Sequence, residues 1–207
     1  MEITCLELYK GDTYRVELDE EESIFVNCSV VSDFSLYKGM SLDGDILAQI
    51  KQSDGLRKAR KRALYLLGTR EYCYNELYKK LRESYDEDTA RAAANSMREY
   101  GYINDEEYAP KLAEYLIHGK HYGVKKARWE MLRRGLDEYV VEDALAQYSD
   151  EDIDEEITEL LMRKYYSKLE DFNARQRTIA ALARRGYDYR AVKRCIERIL
   201  EENEDEE

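Results

Sequence analysis

The sequence predicts a mainly α-helical fold: three tandem three-helix repeats forming an elongated curved rod, behind a small strand-containing N-terminal extension. Three observations carry this. One pattern recurs at a spacing of 51 residues. Pro occurs once and Gly ten times in 207 residues, so long helices are permitted. Regular alternation of apolar and polar residues is confined to residues 1–30.

The repeat is clearest at the end of each unit. Tyr85-Asp86 recurs as Leu136-Asp137 and as Tyr187-Asp188, each behind a small residue, Ser84, Gly135 or Gly186. The positions that follow keep step: Ala90, Val141 and Val192; Ala93, Ala144 and Cys195; Ala94, Leu145 and Ile196; Met97, Tyr148 and Ile199. These offsets of three and four lie on one helix face. Each repeat therefore ends in a helix, a tight turn, an Asp placed to cap, and an amphipathic helix. Units that bury their apolar faces against neighbours stack.

In chain order, residues 2–9 and 13–18 alternate around Lys10-Gly11-Asp12 and read as a hairpin, and Ser23–Asn27 can add a third strand. Glu20-Glu21-Glu22 is the turn between them. A helix covers Leu42 to Gln52, which completes an extension over 1–52. Repeat one, 53–105, has helices near 57–67, 72–83 and 87–100, with Thr69 and Asp86 as candidate caps. Repeat two, 106–152, has helices near 105–118, 124–134 and 138–148, the first opened by Asn104 and Glu107 at capping-box spacing. Pro110 implies either a kink there or a start near Ala109. Repeat three, 153–200, has helices near 154–168, 173–185 and 189–200. Gly101, Gly135 and Gly186 stand where helices stop at positive φ. Residues 201–207 form an acidic tail expected to be disordered.

Charge excludes little until it is located. The net charge is −12, but residues 1–50 carry −8 and residues 201–207 carry −6, leaving the helical part at +2. No apolar run reaches the roughly 20 residues of a membrane span, and no secretory signal opens the chain. Cys5, Cys28, Cys73 and Cys195 are dispersed, which suits a reducing, cytoplasmic setting. Cys195 shares its helix column with two alanines and reads as a small core residue. The two histidines, His118 and His121, lack further ligands for a metal. No phosphate loop and no paired nucleophile and base occur, so neither an enzyme nor a cofactor is expected.

Basic clusters are the better candidates. Arg57, Lys58 and Lys61 open repeat one. Lys125, Lys126, Arg128, Arg133 and Arg134 frame the second helix of repeat two, and Arg175, Arg177, Arg184 and Arg185 frame that of repeat three. Their recurrence at similar positions favours a shared surface for DNA phosphates or an acidic protein partner, against the plain alternative of solvated helix faces. Tyr85, Tyr115, Tyr148, Tyr166 and Tyr187 occupy repeat columns and should be mostly core or interface, with their hydroxyls partnered. Tyr72, Tyr74 or Tyr122 could stack on bases.

The central motifs carry a resemblance. Arg70-Glu71-Tyr72 leads to Glu76-Leu77-Tyr78-Lys79-Lys80-Leu81, then Gly101-Tyr102-Ile103-Asn104-Asp105 with Glu107-Tyr108-Ala109, then Gly123 to Arg128 and Met131-Leu132-Arg133-Arg134-Gly135-Leu136. In order and spacing this resembles the RecX family of bacterial recombination regulators over residues 55–200. The family commonly has Ser where Cys73-Tyr74 stands, Asp for Asn104, Phe for Tyr108 and Pro for Val124. The resemblance implies a non-enzymatic, cytoplasmic monomer that binds the RecA recombinase and its single-stranded DNA filament. It implies restraint of the recombinase's ATPase, strand-exchange and coprotease activities; a weak direct contact with DNA is instead what the basic clusters suggest. The rivals are a helix-turn-helix-like DNA reader and a helical adaptor for another partner. Against the reader, the helix from Glu138 to Tyr148 has no Lys or Arg.

Overall fold

In a computed structural model, residues 1–19 and 22–205 are described, those from 203 on as backbone only. Glu20 and Glu21 of the expected turn, and Glu206 and Glu207 of the expected tail, lie outside them. The chain packs as two units: Met1–Glu71 with Leu77–Tyr102, and Tyr72–Glu76 with Ile103–Glu207.

The first unit opens with an antiparallel sheet, β1 (Ile3–Lys10), β2 (Thr13–Leu18) and β3 (Ser23–Asn27), in that spatial order. Leu6 faces Val16 and Val16 faces Ile24, so the expected alternation is what sets the register. Ile3, Val16, Leu18, Ile24 and Val26 form the inner face. They pack against Val30 of α1 (Cys28–Asp33), against Leu36 and Leu42, and against Leu47 and Ile50 of α2 (Gly44–Leu67). The short helix α1 stands where the sequence pattern is ambiguous, and Asn27 caps it by accepting from Ser29 N.

Helix α2 is the main departure from expectation. Two helices, near 42–52 and 57–67, were expected, yet one 24-residue helix runs through Ser53-Asp54-Gly55. Asp43 caps it, accepting from Ile46 N at 2.7 Å. Asp54 is only 3 % exposed. Its Oδ1 accepts from Asn27 N at 3.1 Å, and Lys58 Nζ lies 2.5 Å from its Oδ2. Burial on both sides of Gly55, by Leu47 and Ile50 before it and Ala59, Ala63 and Leu66 after it, outweighs the cost of about 1 kcal/mol of a helical Gly. Helix α4 (Glu87–Glu99) packs on α2.

Helix α3 (Tyr74–Arg82) contributes its first turn to the second unit. Its start is not capped by Thr69, whose hydroxyl donates to Leu66 O within the preceding turn. Tyr74 N instead donates to Asp105 Oδ1 at 2.9 Å, a cap supplied 31 residues later. The second unit continues with α5 (Asp105–Glu114), α6 (Val124–Arg134), α7 (Glu138–Leu145), α8 (Asp150–Lys164), α9 (Phe172–Arg184) and α10 (Tyr189–Asp205). Helix α5 starts at its Asn104 cap and keeps Pro110 inside, then loosens into a π-helical turn over Tyr115–Gly119. Ser149 and Asp152 form a reciprocal capping box on α8, whose start precedes the expected one. Helix α10 continues past Leu200 to Asp205, where order was expected to end; Glu is a good helix former and extends it.

The 51-residue repeat is visible in burial. Ala90, Val141 and Val192 are fully enclosed, as are Ala93, Ala144 and Cys195 to within a few per cent. Asp86, Asp137 and Asp188 accept from the backbone N–H groups of Thr89, Tyr139 and Arg190. Gly101, Gly135 and Gly186 take φ of 74°, 100° and 90°, as a left-handed helix stop requires. Tyr187 is buried, but its hydroxyl has no hydrogen-bond partner among the described residues, contrary to expectation. Tyr115 and Tyr166, expected mostly in core or interface, are 49 % and 45 % exposed; they open the short turns that follow α5 and α8.

Candidate functional site

The structure sorts the expected basic residues into three groups by what holds them. Arg57, Arg134, Arg175 and Arg185 serve the fold. Arg57 Nε lies 3.7 Å from buried Asp54. Arg134 donates to Tyr108 OH at 2.8 Å and lies 3.9 Å from Glu76. Arg175 donates to Leu169 O at 2.6 Å, and Arg185 to the carbonyls of Lys120 and His121 at 3.3 Å. These guanidiniums satisfy orphan carbonyls and carboxylates.

Lys58, 2.5 Å from the same buried Asp54, serves the fold as Arg57 does. Lys125, Arg128 and Arg133 form a second group in exposed ion pairs. Lys125 Nζ is 2.9 Å from Asp188 Oδ2, Arg128 holds Glu138 and Glu142 at 2.5 Å, and Arg133 holds Glu130 at 2.7 Å. Such pairs contribute at most about 1 kcal/mol, so an incoming phosphate can displace them. Lys125 and the Arg190 N–H keep the Asp188 carboxyl below the usual carboxylate range. Lys61, Lys126, Arg177 and Arg184 are the third group, with no ion-pair partner among the described residues.

The second helix of repeat two, α6, carries the densest part of this surface. Its buried side is narrow, Ala127 and Met131, which leaves most of its circumference to charged residues. Lys126 Nζ lies 4.1 Å over the Tyr122 ring, and the Arg133 guanidinium 5.1 Å over Trp129. Trp129, aligned with Tyr78 and Ala180 in the repeat, is 57 % exposed. Sequence reasoning passed it over as a contact residue, although its spacing of four from Arg133 was a usable signal.

Repeats two and three are joined by close backbone and side-chain contacts. Gly123 N donates to Arg185 O at 2.9 Å. An added Cβ on Gly123 would sit 2.3 Å from Gly186 C. Beside this contact Glu156 receives His118 Nδ1, and His121 Nδ1 at 3.4 Å. Arg163 Nη2 stands 2.8 Å from His121 Nε2; an arginine can only donate, so that nitrogen accepts and Nδ1 carries the proton. The histidines thus lock a joint. No cluster of three or more metal-ligating side chains occurs among the described residues. A groove of about 630 Å³ beside the joint has Glu114, Asp152, Glu155, Glu156 and Glu159 in its lining against Lys111 and His118, an excess of acid that disfavours a phosphate. No helix among the described residues is long and apolar enough to cross a membrane.

Comparison with known proteins meets this geometry at its caps. The family model for the second three-helix domain of RecX matches residues 104–145, starting on the Asn104 cap of α5. The model for the third three-helix domain of RecX matches residues 150–196, starting on the first residue of α8. Both matched models are domains of the RecX family, which the chain resembles over these helices. A "Regulatory protein RecX" of Streptococcus agalactiae serotype V is 24 % identical over 207 residues, covering 100 % of this chain and 80 % of that protein. Its counterpart in Leuconostoc mesenteroides is 26 % identical over 200 residues, covering 95 % and 75 %. That of Clostridium perfringens is 24 % identical over 204 residues, covering 95 % of each. Among solved structures, a crystal structure of regulatory protein RecX superposes with a TM-score of 0.71 at 24 % identity, covering 93 % of this chain and 97 % of that one. The crystal structure of RecX from Lactobacillus salivarius gives 0.63 at 23 % identity, covering 70 % and 97 %. The two matched RecX domains correspond to α5–α7 and to α8–α10, the helices that meet at the Gly123–Gly186 contact.

Proposed function

We propose that this protein is a regulator of recombination that binds the RecA recombinase on its single-stranded DNA filament and restrains its ATPase, strand-exchange and coprotease activities. It does so as a cytoplasmic monomer, by binding and without chemistry of its own. The observation that supports this best is similarity along the whole chain to proteins named as regulatory RecX proteins. The candidate contacts are the cations the fold leaves available: Lys61 in the first unit, and in the second Lys126, Arg177 and Arg184 first, then Lys125, Arg128 and Arg133. A sequence-specific duplex reader is a weaker reading. Helix α7, which would enter a groove, offers Glu138, Glu142 and Asp143 and no cation.

The test is the DNA-dependent ATPase of the recombinase from the same organism, measured with and without this protein. Suppression that needs preformed filaments is the expected result. Equal ATPase across a full titration, with the protein shown to be folded by circular dichroism, would refute the proposal.

A further inference from the structure

The exposed face of α6 interleaves rings and cations in a regular order. Lys126, Trp129 and Arg133 lie at i, i+3 and i+7, one face of the helix, and rise roughly 10 Å along it. Tyr122, half-buried against the core just before α6, has its ring 4.1 Å beneath Lys126 Nζ. Arg133 covers Trp129 at 5.1 Å. Nearby, Lys120 Nζ lies 5.3 Å from the Tyr115 ring centroid. A tryptophan 57 % exposed has given up burial that the core would have rewarded, and cations occupy its neighbourhood in place of an apolar surround.

We propose that this stripe is a stacking platform for single-stranded DNA: Trp129 takes the face of an unpaired base, and Lys126 and Arg133 meet the phosphates beside it. The chemistry of both parts agrees with that ligand. Every base has a π-face, so ring stacking tolerates sequence, and the cations supply an attraction weakened by salt. Trp, Tyr and Arg also anchor protein interfaces, but there they sit in desolvated apolar pockets. Here Trp129 is flanked on the outer face by Lys125, Lys126 and Arg133, cations that suit a polyanion once phosphate displaces the surface pairs of Lys125 with Asp188 and Arg133 with Glu130. Lys126 has no carboxylate partner among the described residues to compete with a phosphate. The inference deepens the regulatory reading and rests on it, because a recombinase filament is what presents unpaired bases.

Trp129 is the only tryptophan in the chain, so its emission reports the site directly. The experiment titrates the full-length protein, without recombinase, with oligothymidylate of about twenty nucleotides, longer than one such site requires. Saturable quenching that shifts to higher DNA concentration with added salt is expected, and a duplex of equal length should quench far less. In anisotropy with a labelled oligothymidylate, Trp129→Ala should bind roughly ten-fold more weakly, as loss of one stacked base implies. Trp129→Phe should recover most of the affinity. No quenching, or equal affinity for Trp129→Ala, would overturn the platform. So would emission that responds to recombinase alone and not to oligothymidylate, which would make the face a protein-docking one. The two readings fail separately. Quenching by DNA with an unaffected recombinase ATPase sinks the regulatory reading and leaves the platform, and the opposite pair of results does the reverse.

Discussion

Two enclosed side chains show what a single residue decides in this protein. Asp54 is a buried carboxylate that ties β3 to α2: it accepts from Asn27 N and neutralises Lys58 and Arg57. Asp54→Ala leaves that N–H and those cations without their partner, and should destabilise the protein by about 2–4 kcal/mol. Urea unfolding measures this, and a loss below about 0.5 kcal/mol would mean water replaces the carboxylate readily. Cys73 is fully enclosed and donates to Arg134 O at 3.4 Å. Burial pushes its thiol up from 9.0 to about 11. The unfolded thiol ionises first, so the native state loses stability as pH rises from 9.0 towards about 11, by roughly 2–3 kcal/mol at most. The loss relative to Cys73→Ala, followed by urea midpoints across that range, isolates this thiol from the titrating tyrosines. Parallel pH profiles for the two proteins would contradict the assignment.

At the scale of elements, two glycines with opposite surroundings make opposing predictions. Gly55 lies inside the continuous helix α2 with nothing within 4 Å of an added Cβ. Gly55→Ala should therefore stabilise by about 0.5–1 kcal/mol, as replacement of an interior helical glycine does. A destabilised variant would indicate that α2 is broken there. Gly123 faces Gly186 with no room for a methyl group, so Gly123→Ala must part the start of α6 from the turn before α10. A loss of about 2 kcal/mol or more in thermal or urea unfolding is expected. The two substitutions also show why patterns in sequence mislead about elements. Ser53-Asp54-Gly55 reads as a break because each residue disfavours helix locally, and tertiary burial on either side overrides that preference. The Asp86, Asp137 and Asp188 caps were legible because capping is a local event, completed within two or three residues.

At the scale of the whole molecule, charge is the property that sequence reports least directly. A chain of net charge −12 carries a surface of cations, and only coordinates distinguish those that brace the fold from those that face water. Reversing Lys126 and Arg184 to Glu should weaken filament binding by roughly ten-fold at low salt, flatten its salt dependence, and leave the circular-dichroism spectrum unchanged. Reversing Arg134 and Arg185 should instead cost stability, since they hold Tyr108 and the carbonyls of Lys120 and His121. Equal binding by the first variant across a salt series would return those cations to the status of solvated surface.

The sequence by itself determined the periodic parts of this protein. The hairpin and third strand, the triple recurrence of the third helices, their aspartate caps and the glycine stops all follow from spacing, because each depends on neighbours within a few residues or on an exact repeat. So did the resemblance to the RecX family, which rests on the same spaced motifs. Only the tertiary structure decided what depends on distant neighbours. It merged two expected helices into α2 through Asp54 and Asn27. It capped α3 with Asp105, and it drew His118 and His121 to Glu156. It turned Tyr115, Trp129 and Tyr166 to solvent, and it divided the basic residues by their partners. The physical reason is the same in each case: whether a charged or aromatic side chain is buried, paired or free depends on groups brought near it by folding, and their sequence separation, up to 65 residues at Arg185 and Lys120, leaves no local trace.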